Sequence, residues 1–229
     1  SALTMATITL DIKSELPKAI RWTDSIVKQL PFAISQALNS TGFDMRTSLN
    51  SATRQYFDKP APFTQRSFIV QKGSKRDLQV TVLANKRQNL YLRTQVSGGP
   101  RKQKGFERKF LADIVGTQSV PSNTQLAPTA LIKLNAQGNV SLATIKRIQQ
   151  GISSTAKAGF FAGVPKGNSQ PFGIYRRSKG KLLPYFVATS GPARYRPRFP
   201  MQEIGTKVVE RRFGQYLRSA LERAIASAR

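Results

Sequence analysis

Two hydrophobic periods follow each other near the start of the chain. Residues 7–12 alternate apolar and polar side chains, which predicts a short β-strand. From Ser14, a predicted N-cap, apolar residues recur every three or four positions and predict a helix that ends or restarts at Pro31. A second stripe with the same period runs from 34 to 56 and contains Gly42. Because glycine costs about 1 kcal/mol in a helix relative to alanine, we expect a kink there or the close approach of another backbone.

The period then changes to two, and residues 62–115 are predicted to form a β meander. Its strands are expected at 67–70, 78–82 and 90–96, where apolar and polar residues alternate. This alternation is typical of an antiparallel sheet with one packed face and one solvated face. After a basic, glycine-rich loop, residues 106–111 fit either a strand or a helical turn.

The second half of the chain begins with a change in composition. Residues 116–140 are rich in Gln, Ser, Asn, Pro and Thr, which predicts an extended polar arm on the surface. Within 141–229, Ser141 is expected to cap a short helix that ends near Gly151 and turns Leu142, Ile145 and Ile148 to one side. Three runs typical of strands follow, at 159–164, 172–175 and 182–187.

A long amphipathic helix is predicted from about residue 201 to residue 228. Eight side chains share its apolar face: Val209, Phe213, Tyr216, Leu217, Ala220, Leu221, Ala224 and Ile225. Because this face is rich in alanine, it suits packing on a sheet better than insertion into a membrane surface. We therefore predict one α+β domain over 1–229, with a mainly helical N-terminal part (1–58), a central antiparallel β-sheet, and the long C-terminal helix packed on that sheet.

Composition excludes several classes of site. The chain has 229 residues and contains no Cys and no His, so disulfides, zinc fingers, thiol nucleophiles and Ser-His-Asp triads are ruled out. The acids of the N-terminal helical region, Asp24, Asp44 and Asp58, are too widely spaced in sequence to suggest a magnesium site. We expect no enzymatic activity, no metal and no cofactor, although an enzyme built on carboxylates remains an alternative.

Charge is the strongest signal in the sequence. Lys and Arg number 37 against 11 acids, a formal net charge of +26, and no acid lies between Asp113 and Glu203. A polyanion would relieve the resulting self-repulsion, and nucleic acid is the first choice, ahead of an anionic membrane or an acidic protein. The basic residues expected to contact phosphates are Arg101, Lys102, Lys104, Arg108, Lys109, Arg176, Arg177, Lys179 and Lys181.

Three stretches together resemble a known family. They are residues 52–64, residues 173–177 with 182–187, and residues 195–199 leading into the C-terminal helix. Their order and spacing are similar to those of the minor tail or tail-completion proteins (lambda protein Z-like) and related neck proteins of tailed bacteriophages. The resemblance implies a structural virion protein of the head–tail junction, assembled in the host cytoplasm. It would form a ring around a channel for double-stranded DNA and contact neighbouring neck and tail proteins, but no membrane.

A ring requires contacts between identical chains, and the polar arm is the segment expected to make them. It has little apolar content of its own, so it could lie on a neighbouring subunit. The interface residues predicted on it are Ser119, Val120, Pro121, Gln125, Leu126 and Pro128. The main alternative to a neck protein is a nucleic-acid-binding protein without sequence preference, acting alone or in a nucleoprotein complex.

Overall fold

A computed structural model describes residues 7–11, 24–112, 124–153, 159–167, 169–189 and 191–227. They form an α+β fold, as predicted, but in two compact units instead of one domain. The first unit comprises the described residues up to Gly98 and those from Arg196 onward, and the second is Gly99–Tyr195. Each unit has a hydrophobic core of its own. The boundaries predicted at 115 and 140 therefore fall inside the second unit.

Strands and helices succeed one another along the described residues in the following order. They are β1 (Thr7–Asp11), α1 (Asp24–Tyr56), α2 (Pro62–Gln65), β2 (Phe68–Gln71), β3 (Gln79–Ala84), α3 (Lys86–Ser97), β4 (Gly99–Pro100), α4 (Gly105–Ala112), β5 (Leu126–Pro128), α5 (Leu142–Ser153), β6 (Phe160–Gly163), β7 (Gly173–Ser178), β8 (Lys181–Ala188), β9 (Arg194–Tyr195) and α6 (Met201–Ser227). No described helix is both long and apolar enough to cross a membrane.

The sheet of the first unit has three antiparallel strands in the order β1-β3-β2. Its central strand β3 supplies Val80 and Val82, which are fully buried. The predicted third strand at 90–96 is wrong, because these residues belong to helix α3. A strand would turn Leu90 and Leu92 to the same face, whereas Leu90 is 59% exposed and Leu92 is fully buried. The alternating pattern was thus accidental in a segment that begins with residues of good helix propensity.

Helix α1 does not end at Pro31, contrary to prediction, but continues through it. Proline removes one hydrogen bond and usually kinks or breaks a helix interior. In α1 the following turn is tied by its side chains, since Ser35 Oγ donates to the carbonyl of Phe32 at 2.8 Å. Ala33 and Ile34 are buried, so tertiary packing holds the helix past the proline. The helix predicted to start at Ser14 falls largely on residues 12–23, outside the described residues.

Gly42 marks a close approach, one of the two outcomes expected from the sequence. A Cβ at this position would lie 2.5 Å from Cγ1 of Val80, so only glycine lets α1 sit this near to β3. The approaching group is a side chain of the central strand, whereas we expected a backbone. The local weakness of the helix is therefore tolerated because it permits close packing between helix and sheet.

Helix α6 packs along α1 and on the strands of the first unit. Ala220 and Ala224 meet Ala33 of α1, while Phe213 and Leu217 pack with a cluster centred on Val80. The predicted apolar face is confirmed except at its C-terminal end, where Ile225 is 43% exposed. Leu217 and Leu221 are half-buried, not fully buried. The arginines of the opposite face are exposed.

The second unit is built on a four-stranded antiparallel sheet in the order β5-β8-β7-β6. The three predicted strands are confirmed as β6, β7 and β8, and residues 106–111 lie in helix α4. Ser141 caps α5 as predicted, since its Oγ accepts a hydrogen bond from the Thr144 amide at 3.1 Å. Ile145 and Ile148 point into the core, but Leu142 is 75% exposed.

The described part of the polar arm divides into two: residues 124–128 are built into this unit through its sheet, whereas residues 133–139 are exposed, as expected of a surface segment. Residues 126–128 form strand β5, which pairs with β8. Thr124, Gln125, Leu126 and Ile132 are buried within the unit. Backbone hydrogen bonds to β8 therefore hold residues 126–128 in the sheet, although the polar composition around them suggested a loop.

Candidate polyanion-binding surface

The second unit presents a surface of a single charge sign over its described residues. Gly99–Tyr195 contains fifteen Lys and Arg but only two acids, Glu107 and Asp113, for a net charge of +13. Asp113 is outside the described residues, and Glu107 is 0% exposed. Twelve of the basic residues are exposed. Within the described part of this unit, every exposed charge is thus positive.

Glu107 is held in place by four hydrogen bonds. Both of its oxygens accept from the Arg101 guanidinium at 2.8 Å, in a bidentate pair. Oε2 also accepts from the Lys104 amide, and Oε1 accepts from the Leu126 amide at 3.2 Å. A buried carboxylate with this many donors is satisfied, and it ties the loop before α4 to the start of β5.

The charge state of the pair follows from these contacts. Burial by itself would raise the pKa of Glu107, but the hydrogen bonds from Arg101, Lys104 and Leu126 outweigh it and lower that pKa. The same carboxylate raises the pKa of Arg101 through their hydrogen bonds, against the opposing effect of burial. The pair is therefore doubly ionised in the folded protein at neutral pH.

Arg101 is consequently placed less favourably for a phosphate contact than the sequence suggested. Its side chain is 17% exposed, and Glu107 occupies both arms of its guanidinium. The loop that carries it is also anchored: the Arg101 amide donates to the Ala193 carbonyl at 2.8 Å, and Gln103 Nε2 donates to the Thr124 carbonyl at 2.7 Å. The glycines and Pro100 suggest a mobile loop, but hydrogen bonds from Arg101 and Gln103 hold this loop against the rest of the unit.

The remaining cations of this segment stay available. Lys102, Lys104, Arg108 and Lys109 are all exposed, and none of them is in a described ion pair. The anchored loop and the first turns of α4 hold their backbones in defined positions. Because these backbones are already ordered, the four cations lose less conformational entropy on binding a ligand than cations on a mobile loop would lose.

A second cationic group forms the hairpin between β7 and β8. Lys179 and Gly180 have φ values of 47° and 72°, which is the left-handed geometry of a two-residue turn. Arg176 lies 5.5 Å from the ring centroid of Phe160, and Arg177 lies 5.3 Å from that of Phe161. The structure thus brings all four predicted hairpin cations together: Arg176, Arg177, Lys179 and Lys181.

The aromatic residues of this hairpin serve to orient the arginines. Phe160 is buried and belongs to the core cluster of the unit. Phe161 is half-buried and stacks on Tyr175, with ring centroids 5.7 Å apart. Both rings are packed among protein groups. Their role beside the arginines is therefore a cation–π contact that holds each guanidinium in place. Arg177, Lys179 and Lys181 are exposed and can reach a ligand, while Arg176 is half-buried.

The predicted subunit interface is not an exposed patch where it can be described. Gln125 is 2% exposed, and its side chain donates to the Arg101 carbonyl at 2.7 Å and accepts from the Ala193 amide at 3.2 Å. Leu126 is 4% exposed. Both residues are therefore used inside their own unit, whereas an interface role was expected of them. Pro128 is exposed, and Ser119, Val120 and Pro121 lie outside the described residues.

Sequence reasoning missed the positioning role of Glu107. One signal pointed to it: a single acid in a segment of five basic residues, six positions after Arg101 and in the first turn of a helix. Among the described residues, no group of three or more acidic side chains is placed to hold a metal ion.

No protein-family model, curated protein or solved structure matches this chain.

Proposed function

We propose that this protein is a structural subunit of the head–tail junction of a tailed bacteriophage, in the neck or at tail completion. In this proposal it assembles as a ring around the DNA channel of the virion and has no catalytic role. The basic surface of the second unit faces the duplex. The three sequence stretches that resemble this family support the placement in the virion, and the charge distribution supports the contact with DNA.

One observation carries the contact with DNA: the described surface of the second unit exposes twelve cations and no carboxylate. Cations at this density repel one another and favour a polyanionic partner. Lys and Arg that reach phosphates bind duplex DNA through charge and counterion release, without reading bases. A protein that lines a channel for passing DNA needs such sequence-independent contact.

A ring would multiply this surface around the duplex. Rings of identical chains form when each subunit joins the next through two different patches and the rotation closes. Each added subunit would bring another set of exposed cations to the same DNA. In this way modest individual phosphate contacts become a continuous positive lining.

A second function is favoured by the same surface, namely a nucleic-acid-binding protein that acts without forming a ring. Such a protein would contact phosphates through the same hairpin and the same segment at 102–109. The two functions differ in assembly and not in the chemistry of the contact, so the oligomeric state separates them.

Negative-stain electron microscopy and mass photometry of the full chain at high salt test the assembly. High salt screens non-specific association through charge, so an oligomer that persists is held by specific contacts. The neck-protein proposal predicts closed rings of one subunit number. A monomer that binds duplex DNA tightly, and never forms rings on its own or on DNA, would overturn the ring and favour the second function.

A further inference from the structure

A separate cleft on the first unit has the chemistry of an anion site. It has a volume of about 390 Å³, within the range of ligand-binding pockets. Its walls come from helix α1 and from the segment of α2 and β2. The lining residues are Arg46, Thr47, Asn50, Ser51, Arg54, Gln65, Arg66 and Phe68.

The spacing of residues along α1 creates one wall. Arg46, Asn50 and Arg54 lie four residues apart and therefore stack on one face of the helix. Arg66, on the opposite wall, follows the short helix α2. The cleft thus collects three guanidinium groups, and no carboxylate is among its lining residues.

Arg54 is oriented without being neutralised. Its Nε donates to Gln65 Oε1 at 3.0 Å, and Gln65 is itself anchored because its Nε2 donates to the Pro60 carbonyl at 2.8 Å. An amide acceptor fixes the direction of the guanidinium but leaves its full positive charge. Neither described ion pair involves a residue of the cleft, so this charge is not compensated there.

Arg46, Asn50 and Ser51 also offer donor groups to a ligand, whereas the Thr47 hydroxyl donates to the Phe43 carbonyl at 3.0 Å and is used within α1. Arg46 lies 5.1 Å from the ring centroid of Phe43, which positions it without a carboxylate. Asn50 Oδ1 accepts the Phe68 amide at 3.1 Å, so its acceptor is used and its NH₂ group is the side that remains for a ligand. The Ser51 hydroxyl adds a further donor, and it is exposed.

We propose that this cleft binds a phosphate group, either free or as part of a nucleic-acid backbone. A set of arginine forks, an amide NH₂ and a hydroxyl, with no acid nearby, matches the several acceptor oxygens of a tetrahedral phosphate. The site lies wholly in the first unit, so it stands independently of the DNA contact proposed for the second unit.

The test is a titration of the full chain with inorganic phosphate. Binding is monitored through the NMR signals of the Asn50 side-chain amide and the arginine Nε groups. Potassium chloride at matched ionic strength is the reference for general screening. Arg54→Gln removes one fork, and Gln65→Glu keeps an acceptor for Arg54 but adds a neutralising carboxylate. We expect each to weaken phosphate binding about tenfold or more.

Arg76→Gln is the matched control, because it removes an exposed arginine of the same unit outside the cleft. It should leave phosphate binding unchanged, and circular dichroism should show that all variants remain folded. Arg66→Gln serves as a second test if Gln65→Glu fails to fold, and it too should weaken binding. The proposal is overturned if no saturable shift occurs at these groups, or if the cleft variants bind phosphate as the control does.

A short duplex DNA distinguishes the two sources of phosphate. If Arg54→Gln weakens duplex affinity as well, the cleft holds a backbone phosphate. If duplex affinity is unchanged while phosphate affinity falls, the cleft takes a free phosphate or a small phosphorylated ligand. Both results support a phosphate site. If Arg54→Gln binds inorganic phosphate as tightly as the wild type does, the proposal is contradicted.

Discussion

The two units carry the same net charge, +13 each, but distribute it differently. The first unit has 22 Lys and Arg and nine acids, and Asp58, Asp77, Glu203, Glu210 and Glu222 are exposed among its cations. The second unit has one described acid, and that acid is buried. The same net charge thus gives a mixed surface in one case and a uniformly positive one in the other. The position of the acids, and not the charge total, locates the surface expected to meet a polyanion.

The ion pairs of the two units differ in the same way. Arg101 and Glu107 form a bidentate buried pair in the second unit. Asp44 and Arg212 of the first unit are 3.4 Å apart, with side chains that are 35% and 54% exposed. Water screens the second pair and does not reach the carboxylate of the first. The two pairs should therefore respond very differently to the loss of one partner.

The largest expected effect is on the buried pair. Glu107→Gln leaves the Arg101 charge buried without a counterion and turns an amide NH₂ toward other donors. We expect a loss of about 3–5 kcal/mol in the free energy of unfolding of the second unit. Asp44→Asn, the matched change at the exposed pair, should cost about 1 kcal/mol or less. Urea denaturation monitored in each unit checks both values, and equal losses would show that burial does not separate the two pairs.

The pH dependence of stability sharpens the same contrast. The folded-state pKa of Glu107 is lowered, so the unfolded chain binds its proton more readily. The stabilisation is complete above the ordinary pKa of glutamate, about 4.3, and is lost as the pH falls through the lower folded-state value. Acid titration of urea midpoints should therefore show a steeper decline for the wild type than for Glu107→Gln. A variant with the wild-type slope would mean that another carboxylate governs the acid response.

A smaller effect is expected from helix α6, where charge and stability are separable. Leu217 is half-buried in the cluster around Val80, so Leu217→Ala should cost about 1–2 kcal/mol. Arg218 is exposed on the opposite face, and Arg218→Ala should change stability by less than about 0.5 kcal/mol. Thermal unfolding of both variants checks the assignment. Equal shifts in Tm would indicate that the faces of the helix are misassigned.

Prediction from the sequence succeeded where the period of the hydrophobic residues matched the face that is packed in the folded protein. The strands β6, β7 and β8 and the long helix α6 are such cases. It failed at Leu90, because a period-two pattern in a short segment does not exclude a helix, and at Pro31, because packing on α6 and β3 holds α1 together. Local propensity agrees with the helix at 86–97 but does not predict that α1 continues through Pro31.

The candidate surface was predicted in part for a similar reason. A count of charges suffices to find the hairpin cations Arg177, Lys179 and Lys181. It cannot show that Glu107, six positions away, occupies the guanidinium of Arg101, because a count does not say which of several nearby cations this carboxylate pairs with. It also cannot show that Gln125 is buried, because its contacts with Arg101 and Ala193 lie 24 and 68 positions away. Polar residues that are hydrogen-bonded inside a unit are of the same types as polar residues that contact a ligand, so the sequence does not separate them.

The most direct test of the polyanion surface is the salt dependence of duplex DNA binding by the intact protein. The triple change Arg177→Gln, Lys179→Gln and Lys181→Gln removes three exposed cations from the hairpin of the second unit. The matched control Arg76→Gln, Lys86→Gln and Arg87→Gln removes three exposed cations from the first unit, outside its cleft. If each lost cation releases one phosphate, the slope of log K against log salt should fall by up to about 2.7 for the hairpin variant, and little for the control. Equal slopes for the hairpin variant and the wild type would contradict the account.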